Sequence, residues 1–121
     1  MKILIVDDEA DIRRIARLGL AKVGKMDVVE AAGGLEGIER AEAELPDVIL
    51  LDVMMPQLDG PSTLARLRQN PATAAIPVLF LTAKVMPAEV ERLRGLGAVG
   101  VLAKPFDPMT LASQVREALG E

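Results

Sequence analysis

The stretch Val48-Ile49-Leu50-Leu51-Asp52-Val53-Met54-Met55-Pro56 decides the fold. It opens on an uninterrupted apolar run, which reads as a strand covered on both faces. The run ends abruptly on the carboxylate of Asp52, and Pro56 stops any continuation. An acid at the carboxyl end of a doubly covered strand stands where open α/β sheets bind their ligands. Asp52 is therefore the residue that the rest of the chain is expected to hold and to charge.

The same grammar repeats on either side. Residues 2–6 (Lys-Ile-Leu-Ile-Val) form a buried strand that runs into Asp7-Asp8-Glu9. Helical spacing follows, with Ile12, Ile15, Ala16, Gly19, Leu20 and Val23 inward, Asp11, Arg13, Arg14, Arg17 and Lys22 mostly outward, and Gly24 as C-cap. Residues 27–31 make a more polar strand, expected at an edge. Gly33-Gly34 turns the chain into a second helix marked by Leu35, Ile38, Ala41 and Leu45 and closed by Pro46. After the Asp52 strand, residues 57–60 read as loop. A third helix presents Leu64, Leu67 and Ala65 inward and ends at Asn70-Pro71. Residues 77–81 form a fourth strand ending on Thr82. A fourth helix begins near Pro87, with Val90, Leu93 and Leu96 inward. Residues 99–102 form a fifth strand leading to Lys104. A last helix is capped by Asp107, with Pro108 at its first position and Leu111, Val115 and Leu119 as its core stripe. Five βα units with short, right-handed connections predict one doubly wound, flavodoxin-like domain over residues 1–121, its parallel sheet ordered 2-1-3-4-5.

Composition removes most chemistries. The chain of 121 residues has no Cys and no His. Disulfides, thiolate metal sites, Ser-His triads and a phosphohistidine of its own are excluded. With only two aromatic residues, Phe80 and Phe106, the core has to be aliphatic. The net charge is −4 and no basic cluster stands out, so the chain by itself is a poor binder of nucleic acid. No apolar run is long enough to span a membrane and Met1-Lys2 leads straight into a strand. A soluble, cytoplasmic protein is the expectation.

The expected strand order makes strands 1 and 3 neighbours, about 5 Å apart. Asp7, Asp8 and Asp52 then converge, and clustered carboxylates disfavour one another's ionisation unless a cation relieves them. All-oxygen ligands point to Mg²⁺, with Mn²⁺ or Ca²⁺ as alternatives. Strand 4 carries the Thr82 hydroxyl to the same edge, and strand 5 the Lys104 ammonium. An acid, a metal, a hydroxyl and a lysine together suit a transferring phosphoryl group, with Asp52 as the nucleophile. Each residue alone has a plainer explanation as a turn residue, a helix cap or a solvated lysine. All four kinds, closing strands 1, 3, 4 and 5 in turn, do not.

The residues Val6-Asp7-Asp8-Glu9, Leu51-Asp52-Val53-Met54-Met55-Pro56 with Asp59-Gly60, Leu81-Thr82-Ala83 and Ala103-Lys104-Pro105-Phe106 resemble the CheY-like receiver domains of two-component response regulators. The resemblance runs from the first strand to the last helix. It implies that Asp52 is the phospho-acceptor and that Asp7, Asp8, Asp52 and the Met54 backbone carbonyl hold Mg²⁺. It also implies that Thr82 is the switch hydroxyl and that Lys104 contacts the phosphoryl group. A cis peptide before Pro105 is a further implication. The implied donor is a histidine kinase or a histidine phosphotransfer protein. The implied output is a downstream effector or output domain, with a monomer or a phosphorylation-dependent dimer through helix 4, strand 5 and helix 5. On that face Glu89, Glu91, Arg92, Arg94, Arg116 and Glu117 are mixed charges. Helix 1 and the loop after strand 5 are the implied docking surface for the histidine partner.

The resemblance implies no enzyme acting on a separate substrate, only self-promoted phosphorylation and dephosphorylation. Gly120-Glu121 directly follows the last helix, which favours a stand-alone protein over the amino-terminal receiver of a transcription factor or enzyme. A metal-dependent phosphohydrolase with an aspartyl phosphate is a competing reading, but it wants a second acid where Met54 stands. A flavodoxin would want a hydroxyl- and Gly-rich loop where Asp7-Asp8-Glu9 stands. One departure concerns signalling: Val101 occupies the strand 5 position where receivers commonly carry Tyr or Phe. Met54 and Lys84, over the entrance, predict slow self-dephosphorylation.

Overall fold

The computed structural model describes residues 1–121. Five parallel strands, β1 (Lys2–Val6), β2 (Asp27–Ala31), β3 (Val48–Asp52), β4 (Val78–Thr82) and β5 (Gly100–Ala103), form one sheet in the order β2-β1-β3-β4-β5. Helices α1 (Ala10–Arg17), α2 (Gly34–Glu44), α3 (Gly60–Gln69), α4 (Pro87–Gly95) and α5 (Leu111–Ala118) connect and cover it. This is the expected doubly wound architecture. β2 and β5 are the edges, and β3 sits at the centre between β1 and β4.

Every residue of β3 is buried, because both faces of the sheet are covered. Its side chains alternate between two cores. Val48 and Leu50 join Ile3, Ile5, Leu79, Leu81 and Leu102 under α1 and α5. Ile49 and Leu51 join Leu4, Val6, Val78 and Phe80 under α2, α3 and α4. Phe80 is fully buried and is the largest side chain of the interior. Phe106 packs against the α1–α5 core.

The helices depart from the expected stripes for identifiable reasons. The first helix does not run as one α-helix to Gly24. It becomes π-helical over Leu18–Val23. Each π turn is wider, so the inward face rotates. Val23, expected inside, is exposed, while Gly19 and Leu20 are buried. Ile15, also expected inside but in the α-helical part, is exposed beside buried Ala16. Gly19 passes so close to Pro108 that an added Cβ would stand 2.5 Å from its carbonyl oxygen. In α2 the inward face is Gly34, Gly37 and Ala41, with Ile38 partly buried. Leu35 and Leu45 are exposed. The close approach explains this: an added Cβ on Gly37 would meet the Val6 side chain at 3.0 Å.

In α3 Thr63, not Ala65, faces inward beside Leu64 and Leu67. In α4 Leu93 alone is buried and Leu96 is exposed. Strand β5 is shifted by one residue, from Gly100 to Ala103, and leaves Val99 exposed. Asp107 and Pro108 do not start α5. Asp107 accepts a hydrogen bond from Met109 N–H at 2.8 Å and closes a turn, and the helix begins at Leu111.

Candidate functional site

β1, β3, β4 and β5 end at one edge, and the alternation of side chains decides what meets there. Ile3 and Ile5 lie on the α1–α5 face, and Asp7 continues their row. Val48 and Leu50 lie on that face too, and Asp52 is next in theirs. Leu102 precedes Lys104 in the same way. Thr82 continues the opposite row, after Val78 and Phe80. Three charged groups thus arrive from one side of the sheet and the hydroxyl from the other.

The acids meet as expected. Asp7, Asp8 and Asp52 each offer a carboxylate oxygen within 4.8 Å of the others. Asp7 is fully buried, Asp52 is 4 % exposed and Asp8 faces solvent. Lys104 Nζ lies 2.9 Å from Asp7 Oδ2 and 3.1 Å from Asp52 Oδ1. Toward Asp52 it donates a hydrogen bond. Toward Asp7 the approach is an ion pair only, since the buried Oδ2 accepts no aligned hydrogen bond. The other polar atoms of Asp7 are held. Its N–H donates to Ala31 O at 3.1 Å, its Oδ1 accepts from Glu9 N–H at 2.9 Å, and its carbonyl accepts from Arg13 Nη1 at 2.8 Å.

Burial pushes the Asp52 carboxyl up to about 6, with the Asp7 and Asp8 charges adding to the rise and Lys104 opposing it. For Lys104 burial works against the charge. The two neighbouring carboxylates, Asp7 and Asp52, outweigh it, so its pKa is raised. One ammonium thus balances part of a three-acid cluster, which is left with excess negative charge.

A cavity of about 210 Å³ opens over this edge, lined among others by Glu9, Asp52, Met54, Thr82, Lys84 and Lys104. Thr82 Oγ1 faces it from the far side and accepts the Lys84 N–H at 3.0 Å. Met54 is 75 % exposed at the rim. No hydrogen bond within the chain ends on the Met54 carbonyl. The peptide bond Lys104-Pro105 is cis, as expected.

The loop after β3 is held tightly. Asp59 is a helix N-cap rather than loop: its Oδ1 accepts the Ser62 N–H at 2.8 Å, and this bond holds its carboxyl below the usual range. Gly60 then lies directly against β3, where an added Cβ would overlap the Asp52 carbonyl. The Gly60 N–H donates to the Val53 carbonyl at 2.9 Å, which ties the start of α3 to the residue after Asp52.

A buried carboxylate oxygen that accepts no aligned hydrogen bond and two further acids within reach form an all-oxygen donor set with surplus negative charge. These residues fit a hard divalent cation. Two participants escaped the sequence reading. Glu9 contributes its N–H to Asp7 and lines the cavity. Arg13, expected on the outer face, is only 19 % exposed and reaches the Asp7 carbonyl. Arg116, on α5, donates to Gly24 O at 2.8 Å. Helical spacing gives no signal for such contacts, because their partners come from other elements.

A family model described as the response regulator receiver domain matches residues 3–116. The PhoP alkaline phosphatase synthesis transcriptional regulatory protein of Bacillus subtilis is 41 % identical over 120 residues, covering 98 % of this chain and 48 % of that protein. The probable transcriptional regulator ycf27 of Guillardia theta is 39 % identical over 120 residues, covering 98 % of this chain and 45 % of that protein. The chain spans about half the length of these curated relatives. Among solved structures, the chemotaxis response regulator CheY4 of Vibrio cholerae superposes with a TM-score of 0.89 at 33 % identity, covering 97 % of both chains. No helix is long and apolar enough to cross a membrane.

Proposed function

The chain belongs to the response regulator receiver family, and from that premise we propose that Asp52 accepts a phosphoryl group from a phosphohistidine on a histidine kinase or histidine phosphotransfer protein. Lys104, which lines the cavity and bridges Asp7 and Asp52, carries this reading. It marks where charge changes during transfer.

The reaction forms a bond between an Asp52 carboxylate oxygen and phosphorus and breaks the phosphorus–nitrogen bond to the donor imidazole. The departing imidazole takes up a proton. Asp52 attacks as the carboxylate, the ionised form above a pKa of about 6. Lys104 already donates to Asp52 Oδ1 and is placed to follow the charge onto the phosphoryl oxygens. The Thr82 hydroxyl, across the cavity, is the second donor. Asp7, Asp8, Asp52 and the Met54 carbonyl would hold Mg²⁺, or Mn²⁺ in its place. The cation would supply positive charge that offsets the acids and the incoming phosphoryl oxygens. Hydrolysis reverses the modification, with water attacking phosphorus and releasing inorganic phosphate and the carboxylate. The chemistry is confined to the chain's own Asp52, so the protein is not an enzyme for a separate substrate.

Output passes to a partner protein or an output domain, from a monomer or from a dimer through α4, β5 and α5. We place this activity in the cytoplasm. Residues 1–121 act as one receiver unit. Val101 is half-buried beside the α4 core and carries no ring. Displacement of Thr82 is therefore read through the loop to α4, which its hydroxyl touches at Lys84. Exposed Met54 and charged Lys84 offer no base to an attacking water, so the phosphoryl group persists beyond seconds.

Incubation with acetyl phosphate or phosphoramidate, with and without Mg²⁺, tests the proposal by intact mass. One phosphoryl group should be gained only with metal and lost in Asp52→Asn. Gain that persists in Asp52→Asn refutes the assignment. A phosphoryl half-life of a few seconds refutes the role given to Met54 and Lys84.

A further inference from the structure

The geometry points to Arg13 as a positioning residue that holds the acid pair in shape for a divalent cation, with Glu30 as the counter-charge that makes this tolerable. The inference rests on the cation site proposed above.

Asp7 lies just beyond β1, outside any regular element. Its Oδ2 can face the site only if the rest of the residue is immobile. Three bonds immobilise it: to Ala31 on β2, to the Glu9 N–H, and from Arg13. The first is a backbone bond to β2, and in the second the Asp7 carboxylate accepts a backbone N–H of its own turn. The third is a side chain from α1, and it is the one that ties the turn to the helix. Arg13 Nη1 holds the Asp7 carbonyl at 2.8 Å while Arg13 Nε holds Glu30 Oε1 at 3.2 Å. Glu30 is the neighbour of Ala31 on β2, and Ala31 accepts the Asp7 N–H. The contacts therefore close a ring: Asp7, Arg13, Glu30, and back through Ala31 to Asp7. Arg17 grips the other oxygen of Glu30 and completes the support.

A guanidinium beside a cation site should repel the cation. Glu30 offsets part of this charge by pairing with Arg13, although it shares its other oxygen with Arg17, and it leaves the fork's geometry intact. Lysine could not replace Arg13, because one ammonium lacks the rigid fork that spans a carbonyl and a carboxylate. Groups that orient metal ligands commonly set affinity by ten- to a hundredfold.

The test is Mg²⁺ binding to the whole chain by isothermal titration calorimetry, with the amide signals of Asp7, Asp8 and Glu9 followed by NMR. Arg13→Met should weaken Mg²⁺ binding about tenfold or more and broaden those three signals. Arg13→Gln, which keeps a donor for the carbonyl, should recover part of the loss. Glu30→Gln leaves the guanidinium less compensated, so it should weaken Mg²⁺ binding several-fold at low salt and less at high salt. Arg14→Met, on the exposed face, should bind as wild type. If Arg13→Met does not fold, the salt-dependent loss in Glu30→Gln decides alone. Wild-type Mg²⁺ affinity in both Arg13→Met and Glu30→Gln overturns the inference. Should the unmodified chain itself fail to bind Mg²⁺, the cation site is wrong. Should it bind and be phosphorylated while the variants match it, only the role of Arg13 is wrong.

Discussion

Asp52→Asn should stabilise the metal-free protein, and by a calculable amount. In the fold the Asp52 carboxyl ionises near 6, against 3.8 when it is free. It is 4 % exposed, so little solvent screening softens the effect. Each unit of difference is about 1.36 kcal/mol, so holding Asp52 ionised at pH 7 costs the fold about 3 kcal/mol. Asparagine removes that charge and keeps the shape. For a domain of this size the gain corresponds to roughly 10 °C in melting temperature.

The direction with pH follows from linkage. The folded state binds its proton more tightly than the unfolded state. The cost is therefore fully present above about 6 and disappears as pH falls toward 3.8. Wild type and Asp52→Asn should then converge near pH 4. The chain has no Trp or Tyr, so unfolding is best followed by far-ultraviolet circular dichroism, in EDTA, at half-unit steps from pH 4 to 7.5. Added Mg²⁺ should raise the wild type and leave Asp52→Asn nearly unchanged. An equal gap at pH 4.5 and 7, or no gap at pH 7 in EDTA, would refute the argument that buried charge at Asp52 is held at a cost.

Three further outcomes follow from the same contacts. Asp59→Ala removes the cap on Ser62 N–H and should cost about 1 kcal/mol in urea denaturation. Gly60→Ala forces a Cβ into the Asp52 carbonyl and to 2.9 Å from Val53 Cα. It should cost about 1–3 kcal/mol and slow acetyl phosphate labelling in proportion, unlike Asp59→Ala, which leaves room at β3. Lys104→Met takes away the ammonium that competes with a cation between Asp7 and Asp52. Mg²⁺ should bind it more tightly, by titration calorimetry, while labelling from acetyl phosphate weakens. Unchanged Mg²⁺ affinity would mean that Lys104 and the cation do not share the acids.

Much of the molecule was legible as a string. The strands announced themselves because residues 3–6, 48–51 and 78–81 are apolar without a break, and only a doubly covered sheet position demands that. Pro46, Asn70 and Pro87 marked helix boundaries where the structure has them. The site acids, Thr82 and Lys104 were legible because each ends a strand, and strand ends of a parallel sheet share an edge. Helix faces were less legible. Ile15, Leu35, Ala65 and Leu96 have the spacing of inward residues but point outward. Small residues such as Gly37 let a helix approach until Leu has no room beneath it, and the π turn after Arg17 rotates Val23 outward. Val101 lies beside the α4 core, as alternation along β5 places it.

The sequence by itself determined the order of elements, the strand ends and the chemical types placed there, since these depend on local pattern and on topology rules that hold for any chain. Tertiary structure alone decided which atoms are satisfied. That Asp7 Oδ2 is left without an aligned donor, that Lys104 leans on two acids, and that Arg13 turns inward to a carbonyl are facts about distances between elements far apart in the chain. Side-chain charge at the site depends on burial and on neighbours within a few ångströms. Neither exists until the sheet has closed.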